Sequence, residues 1–338
     1  MAEQTSKLPP IDPSHATVVE NAGGRIIPLE PIGAQVSGFD LTLREPLPAE
    51  VIAALELEMA RRGFLVFKND RQLAPEDFLR ASCLWGGREL HSTHGVHPQT
   101  PDGNPHIFRL SNDERHGIPD VGPQWHNDGS FLPATFSHSG YHIIRPAENG
   151  GGTHFAHQGL AYEALPAEQQ ERWRRLSSVN SASGVVHPLV HEHPLTGQKC
   201  IWLHLGMTGA VIEKLPDRDA FRLLDADELK ALCHAYNDIL NAGLTDGYAI
   251  AFEYSENDCV FIDNLSVAHR AAPEAHMPVE KQGLRIMHRS TVKGVQDLAP
   301  GFGLPQHARI DGPNPVGEGV WQGGGIGFRW DDGIRMRN

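Results

Sequence analysis

Within the stretch Gln124-Trp125-His126-Asn127-Asp128-Gly129-Ser130-Phe131 an imidazole and a carboxylate are separated by one residue. In an extended chain residues i and i+2 point to the same face, so His126 and Asp128 can offer a ring nitrogen and a carboxylate oxygen to one metal ion. A distant third ligand would complete the site, and two regions read together with this one are His269 and Arg285-Ile286-Met287-His288-Arg289. Two histidines and one carboxylate on one face of iron(II) leave the opposite face open for an organic cosubstrate and oxygen. The short pattern alone discriminates little. With 20 His and 42 Asp plus Glu among 338 residues, about two His-x-acid pairs arise by chance. Only this one occurs. Its bland alternative is a strand histidine hydrogen-bonded to a nearby carboxylate.

Composition narrows the partners. A net charge of −13 without a long basic run argues against nucleic acid, because phosphate binding needs clustered Lys and Arg. An anionic substrate then requires a local cationic pocket. Cys83, Cys200, Cys233 and Cys259 are widely spaced, which indicates neither a zinc ribbon nor a disulfide framework and fits thiols in a reducing compartment. There is no apolar signal region and no uninterrupted apolar run of membrane-spanning length. The expectation is a cytoplasmic protein with a small-molecule substrate and neither a membrane nor a nucleic-acid partner.

The elements that must position these residues are mostly short strands. Residues 1–24 are polar, contain Pro9, Pro10 and Pro13, end at Gly23-Gly24, and read as a flexible leader. Residues 25–29 and 34–39 read as strands, 48–62 as a helix ended by Gly63, 64–67 as a buried strand and 75–85 as a second helix. From Gly86 to Gly122 the chain is rich in Gly, Pro, His and Asn, and long irregular segments of this kind tend to be functional. His91, His94 and His97 recur regularly there but lack an evident carboxylate behind them, so they read as surface or substrate contacts. A strand carrying His126 and Asp128 is followed by another over 136–145. Gly150-Gly151-Gly152 lacks the following Lys-Ser/Thr of a phosphate loop. Residues 160–175 read as helical, 185–203 as a hairpin, 225–240 as an amphipathic helix, and 248–254, 258–263 and 284–292 as strands. On the last strand Arg285 and Arg289 share a face and His288 takes the other. Many short strands with helices in insertions fit a mainly β jelly-roll core over 25–298. Residues 299–338, rich in Gly but carrying Trp321, Phe328 and Trp330, read as a tail packing back on that domain.

At this point the chain resembles the TauD/TfdA family, the iron(II)/2-oxoglutarate-dependent dioxygenases of taurine and 2,4-dichlorophenoxyacetate, from Pro31-Ile32-Gly33-Ala34 to about Gly294. The pieces that carry the likeness are Trp125-His126-x-Asp128, Gly151-Gly152-Thr153 followed by Ala161-Tyr162-Glu163-Ala164-Leu165, the His187-Pro188 and His193-Pro194 hairpin, Asp263-Asn264 before His269, and Arg285-Ile286-Met287-His288-Arg289. The resemblance implies a cupin-like double-stranded β-helix with His126, Asp128 and His269 binding iron(II). It implies that Thr153 and Arg285 hold the distal carboxylate of 2-oxoglutarate, a pairing in which a guanidinium fork matches a carboxylate. Arg289 and His91 would meet the acidic group of the substrate. The implied reaction consumes O2 and 2-oxoglutarate, releases succinate and CO2, and oxidises a small sulfonate, carboxylate or amino acid. Related halogenating enzymes replace the carboxylate ligand by a small residue, so its presence as Asp128 implies hydroxylation or another outcome of hydrogen abstraction. A homo-oligomer is an expectation from family habit alone.

Two other readings use the same residues. A non-catalytic or zinc-binding jelly roll could employ His126, Asp128 and His269, since these donors also suit zinc. Only a protein that holds a dicarboxylate needs the Arg285/Thr153 pocket. A serine hydrolase built on Ser130 lacks the Gly-x-Ser-x-Gly elbow. Substrate identity and product outcome are not written in the residues.

Overall fold

A computed structural model of the chain describes residues 7–45, 47–92, 95–216 and 221–298. Its first elements are α1 (Pro13–Asn21), β1 (Arg25–Pro28), β2 (Ala34–Ser37), α2 (Ala49–Arg62), β3 (Phe64–Phe67) and α3 (Pro75–Ser82). Next come β4 (Phe108–Ser111), β5 (His138–Arg145), β6 (Thr153–His157), α4 (Gln158–Ala164), α5 (Ala167–Trp173) and β7 (Leu176–Asn180). The middle of the chain forms β8 (Val186–Pro188), β9 (Val190–Glu192), β10 (Lys199–Ile201), β11 (Thr208–Lys214) and β12 (Phe221–Leu223). The last elements are α6 (Ala226–Asp246), β13 (Ala249–Phe252), β14 (Cys259–Asp263), β15 (Val267–Ala271), α7 (Val279–Gln282) and β16 (Ile286–Val292).

One sheet runs β1-β2-β3-β14-β5-β16-β4, and a second runs β13-β6-β15. Strands distant in sequence lie side by side: β14 sits between β3 and β5, and β6 between β13 and β15. This is the cupin-like jelly roll that the short alternating strands predict. The two sheets meet through Val66, Tyr141, Ile143, Phe155, Val260, Ile262, Val267 and Met287. On the outer face of the large sheet, Leu65, Phe67, Cys259 and Phe261 pack against the α1–α3 helices through Val19, Leu55, Met59 and Phe78. Alternate residues of β3 and β14 thus serve two cores, which is why these strands read as continuous apolar runs. A further β12-β11-β7-β8 sheet, the β9–β10 hairpin and α4–α6 form the region between β6 and β13. α6 starts at a capping box of Asp225 with Glu228 and runs to Gly247 in the left-handed conformation, past the end at 240 expected from its apolar stripe.

Three expectations need correction. The flexible leader does not extend over residues 13–21: Asp12 caps α1, and Val19 is fully buried in the α2/α3 core. The helical segment from Leu160 is two helices, because Leu165 is extended before Pro166, whose missing N–H cannot continue α4. Residues 124–130 form no strand beyond a single bridge between His126 and His269. Residues 299–338, expected to pack as a tail, lie outside the described residues, as does His94.

Candidate active site

His126 and His269 exchange backbone hydrogen bonds of 3.0 and 2.9 Å, which sets their rings side by side with centroids 4.3 Å apart. The His126 Nδ1–H donates to the Gln124 carbonyl at 2.7 Å, leaving Nε2 with its lone pair free. Asp128 is held from β14's end: its N–H donates to Asn264 Oδ1 at 2.8 Å, and Asn264 Nδ2 donates back to the Asp128 carbonyl at 2.8 Å. Nearby, Asn127 donates to the Asn264 and Val267 carbonyls. A bridge on one side and an asparagine clamp on the other therefore replace the strand expected here. The convergence inferred from i, i+2 spacing survives for a different physical reason.

One donor atom each from His126, Asp128 and His269 falls within 4.8 Å of the others. His126 Nε2 lies 3.9 Å from Asp128 Oδ1, and His269 Nε2 lies 3.8 Å from Asp128 Oδ2. Gly122, at φ +70°, packs so closely that a Cβ there would stand 2.9 Å from the His126 ring. Burial drives both imidazoles below their ordinary value, so they are neutral at pH 7 and able to offer a ring lone pair. For Asp128 burial acts upward, but the Arg289 guanidinium and the hydrogen bond from Ser139 outweigh it and hold the carboxyl well below its usual range. Both ring nitrogens of His269 are buried without a hydrogen-bond partner among the described residues. An ionised carboxylate beside two neutral imidazoles, one of them unpartnered, fits a divalent metal such as iron(II).

Beside this cluster a narrow cleft is lined by Leu110, Tyr141, Thr153, Arg285 and Met287. Thr153 opens β6 and Arg285 immediately precedes β16. Arg285 Nη1 donates to the Gly151 carbonyl at 3.1 Å. Gly151 has φ +87°, and a Cβ there would press on Arg285 Cδ at 3.2 Å, so the glycine turn admits this arginine. Burial pulls the Arg285 guanidinium below its ordinary value and Tyr254 counteracts it; no carboxylate acts on it among the described residues.

On another side of the cluster lies a cavity of about 340 Å³ whose lining includes His91, Phe131, Phe136, His204, Met207 and Arg289. The His91 ring packs 4.7 Å from Phe136 and 6.1 Å from Phe131. Arg289 rests on the Phe108 ring at 4.8 Å and donates to Asp128 Oδ1 at 3.0 Å. As the alternation requires, Met287 faces the inner core with Arg289, while His288 turns away to meet Arg109 and the His142 ring. His97 is engaged with the Glu114 carbonyl and takes no part. The Ser130 hydroxyl accepts from Asn180 Nδ2 and donates to Met207 Sδ, and the one imidazole bonded to this residue, His187, donates to its carbonyl and not to the hydroxyl, which argues against the hydrolase reading. Residues the sequence did not single out are Ser139, whose hydroxyl donates to Asp128 Oδ2 at 2.8 Å, and Gln124, His204 and Tyr254. Only Asn264 among the supporting residues had a motif to announce it.

Residues 25–291 match the family described as taurine catabolism dioxygenase TauD, TfdA family. The chain belongs to the TauD/TfdA family. It is 22% identical over 294 residues to an alpha-ketoglutarate-dependent sulfonate dioxygenase of Saccharomyces cerevisiae, a match covering 79% of this chain and 66% of the yeast protein. The chain thus spans about two thirds of that relative's length. It is also 22% identical over 292 residues to an alpha-ketoglutarate-dependent sulfate ester dioxygenase of Pseudomonas putida, covering 78% of this chain and 87% of that protein. A taurine dioxygenase from Burkholderia xenovorans superposes with a TM-score of 0.66 at 22% identity, covering 82% of this chain and 92% of that one. TauD/TfdA enzymes use iron(II) and 2-oxoglutarate.

Proposed function

We propose that the chain is an iron(II)- and 2-oxoglutarate-dependent dioxygenase that hydroxylates a small anionic organic molecule such as a sulfonate, carboxylate or amino acid. Substrate, 2-oxoglutarate and O2 would give hydroxylated substrate, succinate and CO2. The observation that carries the reading is the convergence of His126, Asp128 and His269 within 4.8 Å beside the cleft holding Thr153 and Arg285. A zinc-binding jelly roll has no use for that second feature. The substrates for which these relatives are named, sulfonates and sulfate esters, agree with a cationic substrate site.

Bound iron(II) would supply the redox centre at which oxygen is reduced with electrons from 2-oxoglutarate. His126, Asp128 and His269 would hold the metal. Arg285 and Thr153 grip the distal carboxylate of 2-oxoglutarate, the fork supplying two donors and the hydroxyl a third. Arg289 and His91 meet the substrate's anionic group. Phe131 and Phe136 cover the cavity wall and keep water from the reacting carbon.

The deciding experiment is an anaerobic titration of the metal-free protein with iron(II) and then 2-oxoglutarate, followed by its visible charge-transfer band. A band supports both metal site and cleft, and oxygen uptake against sulfonates, carboxylates and amino acids follows. Iron binding without a band would end the Arg285/Thr153 assignment and return the zinc-binding or non-catalytic reading.

A further inference from the structure

The cavity is far more varied in chemistry than an anion alone requires. Arg289 approaches the metal cluster through Asp128, whereas His204 approaches it through His126, its ring centroid 5.0 Å from that of His126. The two side chains therefore flank the metal position from different ligands. His204 is half-buried, and its Nδ1 is fully enclosed without a hydrogen-bond partner among the described residues. Gln124, itself buried, lines the same cavity beside it. A Cβ on Gly206 would stand 3.3 Å from Gln124 Oε1 and 3.5 Å from His204 Cε1. Gly206 is not in the left-handed region, so conformation does not demand a glycine there; its missing side chain leaves a notch with two polar walls. Phe108, Val121, Phe131, Phe136 and Met207 supply the apolar part of the lining, and Asp120, Thr291, His91 and Arg289 its other polar groups.

Resting on the dioxygenase reading above, we propose that Gln124, His204 and Gly206 form a second, uncharged polar subsite that selects substrates carrying a neutral hydrogen-bonding group, such as a hydroxyl, away from the anionic one. The substrate class is then an organic anion with an apolar middle and a neutral polar end. The imidazole can donate or accept through one nitrogen, and the carboxamide supplies the complementary role. A site built to hydrogen-bond a substrate group discriminates against the analogue lacking it, because its own polar atoms are left unpaired. His204 is a specificity-determining residue here, not a ligand.

The test uses the full-length protein loaded anaerobically with iron(II) and 2-oxoglutarate. Three- to six-carbon alkanesulfonates and their terminally hydroxylated counterparts are titrated in, and affinity is read from the perturbation of the charge-transfer band without turnover. The hydroxylated member should bind about tenfold tighter than its parent at one or more chain lengths. His204→Leu and, separately, Gly206→Ala should erase that preference while leaving the band and the parent's affinity within about twofold; His204→Gln should retain part of it. Absence of any preference in the unmodified protein, its persistence in both variants, or loss of the band itself in His204→Leu overturns the proposal. A protein that gives no band before any sulfonate is added fails at the dioxygenase reading itself, and the subsite falls with it.

Discussion

Arg289 Nη1 donates to Asp128 Oδ1 at 3.0 Å while its guanidinium rests on the Phe108 ring. The residue expected to receive the substrate's charge is thus also the cation that balances the carboxylate of the candidate metal site. Without that cation Asp128 keeps its charge in a buried setting, which is costly. Arg289→Gln should therefore lower the stability of the metal-free protein by about 1–2 kcal/mol, and manganese(II), supplying a replacement charge, should remove most of the loss. Denaturation midpoints in chelator and in manganese(II) check this; an equal loss in both would deny the electrostatic role.

Asp128→Ala should abolish 2-oxoglutarate consumption with the fold retained. Its carboxylate oxygens are bonded by Ser139 and Arg289, and the residue contributes to no apolar core. Ser139→Ala is the graded counterpart. It leaves the ligand but frees its orientation, so metal affinity should fall about tenfold with turnover preserved. Metal titration against a competing chelator measures both. Consumption of 2-oxoglutarate by Asp128→Ala at the unmodified rate would remove the residue from the ligand set.

In the cleft, Arg285→Ala should raise the KM for 2-oxoglutarate about a hundredfold while the substrate's KM moves by no more than about threefold. Thr153→Val, which removes one hydroxyl, should raise it by about tenfold. Steady-state kinetics with each reactant varied separate these effects. The reverse pattern for Arg285→Ala would mean that Arg285 and Arg289 exchange roles.

The jelly roll was legible because its signals are local: β3 and β14 are apolar on alternate faces toward two cores, and α6 carries a buried stripe of Leu229, Leu232 and Tyr236. The His126-x-Asp128 pair was found by a rule whose premise fails, since the segment is a bridge and a turn tied down by Asn264 from 136 residues away. No local pattern reports such a clamp. His204 was invisible for the same reason: nothing in Trp202-Leu203-His204-Leu205-Gly206 says that the ring will stand beside His126. Arg289 was read as a substrate contact, and its bond to Asp128 joins two motifs that the sequence presents as separate. Helix α1 was missed because only Val19 in it is buried, so the segment lacks the periodic apolar stripe that announces a packed helix.

Burial holds His142, His157, His187 and His191 at about 4, each well below the ordinary imidazole value of 6.5. In the unfolded chain the same rings take up protons near 6.5, so between about 6.5 and 4 the unfolded state binds more protons than the native one. Stability contributed by the neutral buried rings is therefore complete above 6.5 and is lost as pH falls toward 4, each ring costing up to about 1.4 kcal/mol per pH unit. Asp263 behaves separately. Burial raises its carboxyl, but His193 at 3.0 Å and His138 outweigh that and hold it below the usual range. Its contribution is present above 3.8 and lost only as pH falls below that value. Urea midpoints in chelator should be level from pH 8 to about 7 and fall steadily from 6.5 to 4.5. A midpoint that stays constant or rises over that interval would show that these imidazoles are not held neutral by the fold.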